Sequence, residues 1–280
     1  MKLSLGNKNI ALGVICFIIP ILLLGCATVP ITGRRQLSLV SQYQMLSLGQ
    51  ASYEQVLHQE KLSHDKEKIE MVNRVGVRIA DSAEQFMREN RMQRELSEYD
   101  WRFILIDDGE NANAFCLPGG KIGIYSGILK YTQDEDGLAV VMSHEIAHAI
   151  ANHGGERMSQ LLLIQLGGAT LAAAMKDKPQ KTQQYFLLAY GVGANLGVML
   201  PYSRLQETEA DRIGLALMTR AGYDPRKAVV LWQRLNNNNQ SRPPAFLSTH
   251  PAPENRIENI KRQIPYALRY YKPQPIGITQ

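Results

Sequence analysis

Two histidines four residues apart, His144 and His148, with Glu145 beside the first, are the side chains in this sequence best suited to chemistry. On an α-helix, at about 100° per residue, the two positions differ by about 40°. Both imidazoles then leave one face and can share one metal ion. Glu145 stands near enough to take a proton from water polarised by that metal without becoming a ligand itself. A plainer reading is a pair of helix histidines satisfied by their neighbours. Leu138, Ala139, Val140, Val141 and Met142 count against it, because burying two imidazoles in so apolar a helix without a purpose is costly.

A catalytic zinc takes three protein ligands and keeps one position open. His153 is a first candidate for the third ligand, since a third histidine on an extended motif defines the metzincins. Those place it ten residues after the first motif histidine, with a glycine three residues before it. Here Gly154 stands at that position and Ala151 at the glycine's. The register is off by one, so His153 is expected to pack or hydrogen-bond near the helix end.

The segment Arg204-Leu-Gln-Glu207-Thr-Glu209-Ala-Asp211-Arg212 offers a second source. Glu207 and Asp211 share a helix face, whereas Glu209 lies about 200° from Glu207 and points away. Glu207 would bind the metal, and Asp211 would accept the spare N–H of a ligand histidine and fix its tautomer. A charged solvent face is the competing reading. It leaves unexplained why the cluster opens the apolar run Ile213-Gly-Leu-Ala-Leu-Met218. His250 precedes Pro251, which biases it toward extended backbone. It is either a turn histidine before the last helix or a fourth, regulatory ligand that the 236–244 loop brings over the metal.

Those residues need elements to hold them. Residues 133–152 are expected to be helical, with Asp134, Glu135 and Asp136 in the first turn and Gly154-Gly155 as the stop. Helices are expected near 41–60 and 65–95, the second from the spacing of Ile69, Val72, Val75, Ile79, Ala83 and Phe86. Residues 101–106, 112–117 and 121–125 read as short strands, the last two around Gly119-Gly120. They predict a small antiparallel sheet packed on the HEIAH helix. Residues 203–221 and 224–235 read as helices, the latter opened by Asp224-Pro225, and a last helix lies near 253–263. The apolar stretches 161–175 and 186–200 are short for membrane spans. They predict a buried helical hairpin or, alternatively, one dipping into a membrane interface. The fold class is α+β, mainly helical.

Composition agrees with a folded domain: 280 residues, 45% apolar and 20% charged. The net charge of +5 comes without a Lys/Arg block or aromatic-interleaved stripe, which argues against a nucleic-acid partner. Lys2 and Lys8 precede an uncharged apolar run, residues 10–24, which is the layout of a secretory signal. The run ends in Leu23-Leu24-Gly25-Cys26, which resembles the bacterial lipobox. That resemblance implies cleavage before Cys26 and lipid on its sulfur; the alternative is an uncleaved signal anchor. Residues 1–25 are then a lipoprotein signal, 26–40 a tether, 41–265 the main domain and 266–280 a tail. Cys116 is left without a disulfide partner and reads as a small hydrophobe in a strand.

Most of residues 100–262 resembles the gluzincin metallopeptidases of the CAAX prenyl protease, HtpX and BepA type. The likeness rests on the 113–120 hairpin, the HEIAH helix, His153, Glu207 to Asp211, and Thr249-His250-Pro251 before Arg256. The resemblance implies a zincin-like fold and one zinc ion with Glu207 as third ligand. The chain looks like a stand-alone bacterial lipoprotein form related to the mitochondrial inner-membrane stress peptidase. It lacks the several membrane spans of the HtpX type and the helical repeats of the BepA type. The expected activity is zinc-dependent cleavage of misfolded or unassembled envelope proteins, facing the periplasm from the outer membrane. An envelope chaperone with a latent protease site is the alternative, and a structural zinc lipoprotein is a second rival.

Overall fold

The computed structural model describes residues 26–29, 32–176, 178–194, 199–236, 243–251 and 255–271. The expected signal segment and most of the 236–244 loop lie outside the described residues. In chain order the elements are β1 (Cys26–Thr28), β2 (Arg35–Leu37), α1 (Gln42–Gln59), α2 (Lys66–Glu89), α3 (Gln93–Leu96) and β3 (Arg102–Ile106). They continue with β4 (Ala114–Leu117), β5 (Lys121–Tyr125), α4 (Leu129–Thr132), α5 (Glu135–Ile150), α6 (His153–Met175) and α7 (Gln180–Ala194). Last come α8 (Leu200–Arg220), α9 (Lys227–Leu235), α10 (Ala245–Thr249) and α11 (Arg256–Ala267).

Asp134 caps α5 by accepting from the Gly137 N–H, with Glu135 and Asp136 in the first turn. Almost the whole helix is buried, as befits a core helix that is apolar all round. Gly154-Gly155 was expected to stop it. Instead Asn152 breaks the chain in the left-handed conformation (φ 53°), and both glycines lie in the first turn of α6. Asn is among the few non-glycine residues that adopt that region readily. Buried residues join α5 to α8 and α2, and α9 and α11 pack onto the same core. α8 packs tightly on α5 at Gly214, where a Cβ would stand 3.1 Å from the His144 backbone nitrogen. A glycine there sets how near Glu207 and Asp211 can come to His144.

The three strands run in the order β3-β5-β4. β4 and β5 form the expected antiparallel hairpin, turning through Gly119 and Gly120 at positive φ. β3, however, pairs with β5 in parallel, so the sheet is mixed rather than antiparallel. Residues 121–124 of β5 are buried on both faces and take the centre, leaving β4 at an edge beside α5. The local pattern specifies strands; burial specifies which one is central.

Two further expectations are corrected. Residues 26–40 are not a loose tether: β1 and β2 pair in register, Cys26 with Leu37 and Thr28 with Arg35. Val29 beyond them is fully buried. The α6–α7 hairpin forms, but it is not buried. Leu166, Tyr185, Phe186, Leu188 and Val192 are exposed, and α6 is long and apolar enough to cross a membrane with only 11% of its apolar window buried. The core is already filled by α2, α5, α8, α9 and α11, so the hairpin has no inner face left to cover. At the C-terminal side α11 runs to Ala267, two residues into the expected tail.

Candidate metal centre

His144 and His148 leave one face of α5, Glu207 comes from α8, and His250 follows α10. All four are buried, and one donor atom from each lies within 4.8 Å of the others. Nε2 of His144 lies 3.1 Å from Glu207 Oε2 and 3.1 Å from Nε2 of His148. Nε2 of His148 lies 3.3 Å from Glu207 Oε1. Nδ1 of His250 lies 3.2 Å from the same oxygen and 3.3 Å from His144 Nε2. Lone pairs that converge this closely repel unless a cation sits among them. Three imidazole nitrogens and one carboxylate suit a divalent transition metal.

Glu145 is 4% exposed, with Oε1 3.2 Å from Nε2 of His250. That oxygen makes no hydrogen bond, which leaves a buried acceptor facing the cluster. Burial pushes the Glu145 carboxyl above its usual range. Burial acts likewise on Glu207, but hydrogen bonds from His144, His148 and His250 outweigh it and hold that carboxyl far below the usual range. Burial drives His148 well below the usual imidazole value. It would also lower His144, which Asp211 and Glu207 instead raise to about 9.

Asp211 Oδ1 lies 3.1 Å from His144 Nδ1, on the side of the ring away from the cluster. Arg256 clamps that carboxylate, donating from Nε (2.8 Å) and Nη2 (2.7 Å). Its guanidinium also sits 3.3 Å over the Trp232 ring and 3.3 Å from Glu207 Oε2. Sequence reasoning used Arg256 only as a landmark after His250. A signal was present: with Ile260 and Ala267, Arg256 lies on the buried stripe of α11, where an arginine has no business unless it is paired. Phe246 stacks on His250 with ring centroids 4.5 Å apart, and Trp232 stacks on Phe246.

His153 does hydrogen-bond near the helix end, with Nδ1 2.8 Å from His148 Nδ1. Glu209 turns away from the Glu207 face as its spacing requires, but into a second buried cluster rather than toward solvent. It is 4% exposed and meets His153, Thr32 and Arg34. A cavity of about 470 Å³ reaches His148 between the β1–β2 hairpin, α1 and the end of β4, lined in part by Val29, Gln36, Met45, Tyr99 and Cys116. Burial holds the Cys116 thiol well above its usual pKa, so it stays neutral.

Residues 75–264 match peptidase family M48. The chain is 39% identical over 174 residues to the mitochondrial metalloendopeptidase OMA1 of Schizosaccharomyces pombe, covering 61% of this chain and 49% of that protein. It is 30% identical to the Saccharomyces cerevisiae protein of the same name, over 87% of this chain and 70% of the relative. The beta-barrel assembly-enhancing protease of Escherichia coli is 28% identical, over 84% of this chain and 47% of that protein. The chain thus spans about half the length of the first and third of these relatives.

Proposed function

The chain belongs to peptidase family M48, and on that premise we propose that it is a zinc-dependent endopeptidase. The reading is carried by the convergence of His144, His148 and Glu207 beside the buried Glu145 carboxylate, whose Oε1 makes no hydrogen bond. His144, His148 and Glu207 would hold the zinc. When bound, the metal supplies Lewis acidity to the scissile carbonyl and makes water more acidic. Glu145 takes the proton of the attacking water at Oε1 and delivers it to the leaving amine nitrogen. Its burial, which raises the carboxyl pKa, makes it a stronger base for the first transfer. Asp211 fixes the His144 tautomer, and Arg256 fixes Asp211. As the edge strand of the sheet, β4 can hold an extended substrate by backbone pairing, which reads little sequence.

His250 is the fourth donor of the cluster. In this reading it would stand in place of the catalytic water and keep the enzyme latent until displaced.

The finer reading is of a bacterial lipoprotein, exported by residues 1–25, anchored by lipid on Cys26 and facing the periplasm from the outer membrane. Its substrates are unfolded or unassembled envelope proteins. The bacterial relative's name supports that setting. The exposed apolar α6–α7 hairpin supports a second contact with the membrane interface. The same exposed hairpin favours one alternative, an assembly factor that binds unfolded chains and rarely cleaves. Incubating purified wild type and Glu145→Gln with an unfolded envelope protein, with and without chelator, separates the two. Chelator-sensitive cleavage by wild type alone is expected. Cleavage retained by Glu145→Gln would sink the peptidase mechanism, and suppressed aggregation without cleavage by either would favour the assembly factor.

A further inference from the structure

We propose that Arg34, Glu209 and His153 form a relay of positioning residues that fixes the ring and tautomer of His148. It is the indirect counterpart of the Arg256–Asp211 pair behind His144. The inference rests on the metal-ligand reading above but concerns residues that reading does not use.

His148 presents Nε2 to Glu207 and His144, so a ligating lone pair must be there and its proton must sit on Nδ1. That Nδ1 lies 2.8 Å from Nδ1 of His153. His153 must therefore accept at Nδ1 and carry its own proton on Nε2. Nε2 in turn lies 3.3 Å from Glu209 Oε2, a carboxylate placed to accept that proton's hydrogen bond. Every link has a donor and an acceptor, and the chain ends on an anion that needs a cation.

Arg34 supplies it from the β1–β2 hairpin, 175 residues away in sequence, donating from Nε to Glu209 Oε2 at 2.8 Å. Its other edge meets Glu156 at 2.7 and 2.8 Å, and Gln206 donates to the same Glu156 at 2.7 Å. Thr32 donates to the second oxygen of Glu209. Side-chain exposures of 16% for Arg34, 5% for Glu209 and 0% for Glu156 put two carboxylates and one guanidinium largely out of water. Such a cluster holds only when its hydrogen bonds are complete, and the His153 N–H completes the Glu209 arm. Each histidine of the HEIAH pair is thus backed by a carboxylate paired with an arginine, buried for Arg256 and part-buried for Arg34. For His144 the contact is direct; for His148 one imidazole intervenes.

Glu156 provides the internal comparison, because it shares Arg34 but does not touch His153's ring through the relay. Zinc affinity of the purified full chain is measured by competition with a chromophoric chelator, with thermal melting in parallel. Glu209→Gln and Arg34→Ala should weaken zinc binding about 10- to 100-fold, the range expected when an outer-shell partner is lost. They should also shift the visible absorption of the cobalt-loaded protein. Arg34→Lys should recover part of the affinity, keeping the charge without the fork. Glu156→Gln should lower the melting temperature and leave zinc affinity and the cobalt spectrum unchanged. If Glu209→Gln fails to fold, His153→Gln carries the same affinity test. Wild-type affinity in Glu209→Gln or His153→Gln, or an equal loss in Glu156→Gln, would overturn the relay. His148→Ala is run alongside: if it binds zinc as wild type does, the ligand assignment fails instead.

Discussion

Arg256→Leu tests whether the pairing behind the candidate metal centre is as costly to break as its burial implies. Arg256 is 2% exposed, donates twice to Asp211 and covers the Trp232 ring. Removing it leaves the Asp211 and Glu207 carboxylates buried around His144 with no arginine between them. Breaking one side of a buried pair typically costs about 3–5 kcal/mol, because the remaining charge is uncompensated. At about 2–4 °C per kcal/mol for a chain of this size, melting should fall by roughly 6–20 °C. The measurement belongs on metal-free protein, where ligand binding does not add to stability. Adding Asp211→Asn removes the stranded charge while keeping the volume. The double variant should therefore be more stable than the sum of the two single losses predicts, by at least about 1 kcal/mol. Arg256→Leu melting with wild type, or strictly additive losses, would refute the reasoning.

Glu145→Gln should keep its metal and lose peptide hydrolysis by about 10²- to 10⁴-fold, read by metal analysis and peptide cleavage on the same sample. Glu207→Ala should abolish tight zinc binding, whereas Asp211→Ala should weaken it about 10- to 100-fold, both read by chelator competition. His250→Ala should raise basal proteolysis at unchanged metal content; a fall in rate would assign His250 to the substrate or oxyanion instead. The metal-free protein should be most stable near pH 6.5, as read by melting across pH. Burial lowers His148 and His153, so below about pH 6.5 the unfolded chain takes up protons that the folded chain refuses, and stability falls. Burial would also lower His144, but Asp211 and Glu207 raise it to about 9, so the stability it lends below pH 6.5 is lost toward pH 9. Stability rising steadily from pH 5 to 9 would contradict those assignments.

Much of the candidate metal centre was legible before any fold was known, because helix geometry converts spacing into direction. His144 and His148, or Glu207 and Asp211, share a face wherever their helices lie, and the same arithmetic turned Glu209 away from Glu207. What that arithmetic could not say is what a turned-away residue meets. Glu209 meets Arg34, from a segment whose Pro, Gly and basic residues read locally as a tether. Arg256 was equally hidden: its position on the buried stripe of α11 was visible, but its partner, Asp211, lies 45 residues away.

The sequence by itself determined the longer helices and the strands β3 to β5, the chemistry carried by the HEIAH helix and the glutamate four residues before an aspartate, and the family those motifs point to. These are properties of short segments, set by periodicity, capping and side-chain type. Only the tertiary structure decided that β5 is the central strand and pairs with β3 in parallel. It also decided that the α6–α7 hairpin stays exposed, that His250 reaches the cluster, and that an arginine-paired carboxylate stands behind each histidine. These outcomes depend on which surfaces remain once the core of α2, α5, α8, α9 and α11 has closed. That closure brings together charges from distant segments, and no local pattern records which of them will pair.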